Sequence, residues 1–95
     1  MKINISKEAM KWFKEDMEAQ AGEHIRFYAR YGGSSALHEA FSLGVTKEEP
    51  TDASVTLSKD DIHFFIEEKD EWYFDGHDLS VSINDTSGEI EYSYN

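Results

Sequence analysis

The chain has 95 residues and carries 20 Asp and Glu against 9 Lys and Arg, for a formal net charge of −11. Aromatic residues make up 14% of it and cysteine is absent, which excludes a disordered chain, disulfides, thiolate nucleophiles and every Cys-ligated metal site. The size predicts a single domain over residues 1–95, with a modest core and a thin margin of stability.

Lys2-Ile3-Asn4-Ile5 alternates and reads as a short first strand. Ser6 is a good N-cap, and Glu8 puts negative charge where the helix dipole favours it. Ala9, Met10, Phe13, Met17 and Ala21 then recur at three- and four-residue steps, predicting an amphipathic helix from Lys7 to Ala21 that Gly22 stops. Trp12 falls at the margin of that stripe.

Beyond Gly22 the period changes to two. Ile25, Phe27, Ala29 and Tyr31 share one face of a predicted strand, with Arg26 and Arg30 on the other. Gly32-Gly33-Ser34-Ser35 reads as a flexible turn, and a second long strand is expected from Leu37 to Val45. A polar loop, Thr46 to Asp52, holds the only proline. Val55–Leu57 and Ile62–Ile66 read as strands around a Ser58–Asp61 turn. Glu67 to Asp75 fits either a helical turn or a bulged strand. Leu79–Ile83 alternates cleanly, and Ile90, Tyr92 and Tyr94 mark the returning strand. The sum is a mainly-β fold, a sandwich or partly closed barrel with one N-terminal helix packed on it.

Charge is distributed unevenly. Residues 1–45 contain six bases and six acids, whereas residues 46–95 contain three bases and fourteen acids. Phosphate backbones and anionic lipid surfaces both demand clustered cations, so neither nucleic acid nor membrane is an expected partner. The acidity reads first as solubility, with a basic protein partner or a cation site as the alternatives. The first residues lack the apolar run of a signal peptide, and a cysteine-free chain points to the cytoplasm.

Candidate chemistry is sparse. Gly-Gly-Ser-Ser lacks the strand–Gly-x-Ser-x-Gly–helix context of a hydrolase elbow and the Gly-Lys-Ser/Thr ending of a phosphate loop. His24, His38, His63 and His77 show no metal-ligand spacing among themselves, and nothing in the spacing makes Glu39 or Asp78 converge on them. Asp60-Asp61, Glu67-Glu68, Asp70-Glu71, Asp75 and Asp78 lack the spacing of a calcium loop and read as a solvated acidic face. No catalytic residue, metal ligand or cofactor is assigned on these grounds.

The order of elements carries a resemblance. Ile3-Asn4-Ile5-Ser6 and an amphipathic helix lead into a strand running directly into Tyr31-Gly32-Gly33-Ser34-Ser35. Ile62-His63-Phe64-Phe65-Ile66, an acidic aromatic turn and Asp75-Gly76-His77-Asp78-Leu79 follow. Over nearly its whole length the chain resembles the HesB-like family, the A-type carriers of iron–sulfur cluster assembly. The resemblance implies a compact β-rich fold and, in typical members, iron or a [2Fe–2S] cluster held by three cysteines. Ser34 stands at the position of the first of these, in a turn that is Ser-Gly-Cys-Ser-like in the family. The other two lie in a C-terminal Cys-Gly-Cys motif, whereas this chain ends Glu91-Tyr92-Ser93-Tyr94-Asn95. The expected function is therefore non-enzymatic: a binding or accessory role related to iron–sulfur or iron handling, without cluster carriage. The alternative is a metal-free interaction protein whose acidic half docks on a basic partner.

Overall fold

The computed structural model describes all residues, 1–95. Nine elements follow one another: β1 (Ile3–Ile5), α1 (Lys7–Glu15), β2 (His24–Ser34), β3 (Glu39–Lys47), β4 (Ala53–Lys59), β5 (Ile62–Glu67), a 3₁₀ helix (Glu68–Phe74), β6 (Leu79–Ile83) and β7 (Ile90–Tyr94). Two sheets form, one of three strands in the order β1-β6-β7 and one of four in the order β3-β2-β5-β4. The mainly-β expectation holds, and no closed barrel forms. No helix is long and apolar enough to cross a membrane.

The core lies between the two sheets and α1. Ser6 caps α1 by accepting the Ala9 N–H at 3.1 Å, and Ala9, Met10 and Phe13 are the helical residues buried. Phe13 is fully buried, with the rings of Phe27 and Phe64 from the larger sheet 6.1 and 5.0 Å away, both edge-on. Trp12 meets Phe13 edge-on at 5.2 Å from a half-buried position. Ile25, Ile62, Ile66, Leu79 and Val81 complete the interior.

The helix ends at Glu15, more than a turn before the expected Ala21. Glu18 adopts a left-handed backbone (φ 54°), and the Ala19 N–H turns back to the Phe13 carbonyl at 3.0 Å. Lys47 Nζ donates to the Glu18 carbonyl at 3.1 Å, and the Glu23 carboxylate accepts the Gln20 N–H at 2.7 Å. Tertiary partners thus satisfy polar groups that further helical turns would have paired internally. Ala19 is buried in place of Ala21, which is exposed.

Gly32-Gly33-Ser34 is likewise not the turn but the end of β2. The β2–β3 register slips between Tyr31 and Ser34, and Gly32 (φ +123°) and Gly33 (φ +69°) take up the irregularity. Only glycine tolerates the first of these conformations comfortably. The reversal itself spans Ser35–His38, where Ser35 Oγ accepts the His38 N–H at 3.2 Å, so Leu37 lies in the turn and β3 starts at Glu39. The β4–β5 hairpin falls where expected but turns more tightly: Ser58 and Lys59 stay paired in the ladder, and only Asp60 and Asp61 sit at positive φ (52° and 63°), the pattern of a two-residue type I′ turn. Within Glu67 to Asp75, Glu67 ends β5 and Glu68–Phe74 forms the 3₁₀ helix, ended by Asp75 at φ 48°.

Candidate functional site

Ser34 lies at the tip of the larger sheet, facing the C-terminal strand. With Ser35, Ala36, Ser42, Leu43, Tyr92 and Tyr94 it lines an open cleft of about 230 Å³. The bulge at Gly32–Gly33 positions it, since Ser42 Oγ donates to the Gly32 carbonyl at 2.9 Å and accepts from Arg30 Nε at 3.1 Å. On the opposite wall β7 presents Tyr92 and Tyr94, and the Tyr94 hydroxyl lies 3.0 Å from that of Tyr73.

The polar atoms of this cleft are hydroxyls. Burial, reinforced by the neighbouring Tyr73 and Tyr28, pushes the Tyr92 phenol up to about 12. Burial and the hydrogen bond to Tyr73 raise Tyr94 further. Both phenols are therefore neutral at physiological pH. Neutral phenols and serine hydroxyls are hard, weak ligands, whereas an iron–sulfur cluster demands soft thiolates. The residues present do not fit such a cluster.

The phenols make an alkaline prediction. Their folded pKa values exceed the ordinary 10, so the stability they contribute is present below pH 10 and lost as pH rises through the folded values. Tyr92 alone then accounts for roughly 2–3 kcal/mol once fully ionised. Phenolate absorbance followed during a pH titration should show a late phase, which Tyr92→Phe diminishes.

The other candidate residues take different places. His24 and His63 become neighbours across the parallel β2–β5 pair, with ring centroids 4.9 Å apart. Parallel pairing of strands distant in sequence is invisible to residue spacing. His63 Nδ1 pairs with Ser58 Oγ at 2.7 Å, and His24 Nδ1 lies 3.2 Å from a Glu49 carboxylate oxygen without hydrogen-bond alignment. His38 Nε2 meets the Tyr73 carbonyl at 2.8 Å. His77 stays in the turn after the 3₁₀ helix, where its N–H reaches the Phe74 carbonyl at 2.8 Å. No group of three or more His, Asp or Glu is arranged to hold a metal ion.

The acidic residues are not all solvated. Glu67 is buried and accepts the Thr51 and Asp52 N–H groups at 2.7 and 2.6 Å, which hold its carboxyl below the usual range against the opposing effect of burial. Asp70 is buried too, 2.7 Å from an Arg26 guanidinium nitrogen. Both sit where the chain leaves β5, and each brings together segments that sequence order alone keeps apart.

The family model described as iron–sulphur cluster biosynthesis matches residues 1–91. The chain belongs to that family. Within it, the protein is 46% identical over 94 residues to one named pyruvate dehydrogenase inhibitor from Bacillus subtilis (strain 168), covering 99% of both chains. An uncharacterized protein of Staphylococcus saprophyticus is 38% identical over 96 residues, with 98% of both chains covered. Another from Staphylococcus aureus (strain MRSA252) is 34% identical over the same span. The HesB-like resemblance is thereby established, while the cysteines by which typical members hold a cluster are missing from this chain.

Proposed function

We propose that this protein works by binding another protein, as an inhibitor of pyruvate dehydrogenase, and is neither a cluster carrier nor an enzyme. The observation that carries this is the 46% identity, end to end, with the protein named for that inhibition. The chemistry of the cleft supports it: Ser34 stands at the family's first cysteine position and no thiolate is present anywhere in the chain, so family membership leaves a fold whose function must reside in other surfaces. The cysteine-free composition accords with a reducing, cytoplasmic compartment.

The test pairs two measurements on the full chain. Anaerobic reconstitution with iron and sulfide is expected to give no stoichiometric visible chromophore. The same protein, purified with a chelator, is expected to inhibit purified pyruvate dehydrogenase complex from its own organism saturably. A stable [2Fe–2S] absorption band, or a complex unaffected by excess protein, overturns the reading.

A further inference from the structure

Tyr31, 82% exposed, and Trp72, 52% exposed, are the two large hydrophobic residues most open to solvent. They are not scattered singly. The ring of half-buried Phe41 lies between them, edge-on to Tyr31 at 5.5 Å and edge-on to Trp72 at 5.2 Å. His38 closes the group 5.3 Å from Trp72, tied by its hydrogen bond to the backbone of fully buried Tyr73. Contiguous exposed aromatics mark interaction sites more often than isolated ones. Phe41 and His38 are anchored from beneath, so these two rings lose little freedom on binding.

The surrounding charge is predominantly acidic. The 3₁₀ helix that carries Trp72 exposes Glu68 and Glu71, and exposed Asp75 follows it. Asp52 lies against Glu68, and none of these four carboxylates has an ion-pair partner. The hydrogen bond that a protonated Glu68 donates to Asp52, with the charges of Asp52 and Glu71, pushes the Glu68 carboxyl up, as expected of acids crowded without a counter-ion. Two cations lie nearby: exposed Lys69, on the same helix, lines a cavity with Glu48, Thr51, Asp52 and Glu67, and exposed Arg30, beside Tyr31, donates to Ser42.

We propose that this aromatic face with its acidic rim is the docking surface of the protein, and that its occupant is a lysine- or arginine-bearing segment of the partner protein. Cationic side chains gain from the negative faces of Trp and Tyr, and the rim carboxylates supply opposite charge that steers the approach. The identity of that partner, a pyruvate dehydrogenase component, rests on the inhibitor reading. The surface can be tested without it.

Isotope-labelled full-length protein titrated with a short arginine- and lysine-rich peptide should show saturable shifts at the Trp72 indole N–H and at amides around Tyr31, Phe41 and Glu71. The double variant Tyr31→Ser/Trp72→Ser, which alters only exposed side chains, should keep a dispersed spectrum and lose the shifts at the amides around Phe41 and Glu71. Absence of saturation, or shifts spread evenly over every acidic segment including Glu89 and Glu91, overturns the proposal. In the enzyme assay the double variant should need at least about tenfold more protein for half-inhibition. A folded variant that inhibits as well as the parent overturns the surface. A parent that fails to inhibit overturns the partner's identity, and the peptide titration still decides the surface.

Discussion

Phe13→Ala is expected to lower the unfolding free energy by about 3–5 kcal/mol, the range for truncating a fully enclosed phenylalanine. The ring has no solvent exposure, and three aromatic neighbours, Trp12, Phe27 and Phe64, surround it edge-on. Those neighbours come from α1, β2 and β5, so the cavity opens at the junction of helix and larger sheet. Aromatic rings cannot collapse into such a gap without leaving their rotamers, which places the loss toward the upper end. For a domain of this size, whose total stability is on the order of 5–15 kcal/mol, that removes a large share. The melting temperature should fall by roughly 15–30 °C. Urea denaturation checks it: the midpoint should drop with little change in slope. Phe13→Leu, which retains most of the volume, should lose far less.

The role of Phe13 is legible in the sequence, because its place on the α1 stripe depends only on local period. The same holds for Ile25 and Phe27 on β2, for the β4–β5 hairpin, and for the alternation of β6 and β7. Where the reading failed, non-local partners decided the outcome. The stripe continued through Met17 and Ala21, yet Glu18, Gln20 and Glu23 found partners outside the helix and ended it at Glu15. Two glycines signalled a turn at Gly32-Gly33 but serve a bulge just before the reversal at Ser35.

The candidate site divides in the same way. Ser34 could be matched by sequence to the family's first cysteine position, but its proximity to β7 depends on how the two sheets pack. Tyr92 and Tyr94 were visible only as an alternating aromatic strand. Tyr31 was expected to share a strand face with Ile25 and Phe27. It is exposed where they are buried, because β2 extends past the end of β5, which pairs with it only through Phe27, and so beyond the interior. Local pattern specifies which residues share a face of a strand. Where that strand outruns its cover is a property of the assembled fold.

Removing Asp70 should expose how strongly that assembly depends on one buried ion pair. Arg26 and Asp70 are only 12% and 9% exposed at their side chains, and their contact at 2.7 Å ties β2 to the 3₁₀ helix. Burial works against the guanidinium charge, but hydrogen bonds to Asp70 and Glu48 outweigh it and hold the Arg26 pKa above its ordinary value. The Arg26 Nε–H is already buried without an acceptor, and Tyr28 lies beneath the guanidinium with its centroid 5.4 Å from Cζ. Asp70→Ala would leave a second donor stranded in the same place. Breaking a buried pair from one side typically costs about 3–5 kcal/mol. Here Glu48, at 2.8 Å and more exposed, retains part of the compensation, so about 2–3 kcal/mol is expected. Replacing both partners with apolar residues, Arg26→Met with Asp70→Leu, should recover much of the loss, because no unpaired charge then remains inside. Chemical denaturation of the two single variants and the double variant measures that coupling. Since the 3₁₀ helix also carries Trp72, Asp70→Ala should weaken peptide binding at the aromatic face, whereas a stability loss confined to another segment would leave that binding intact.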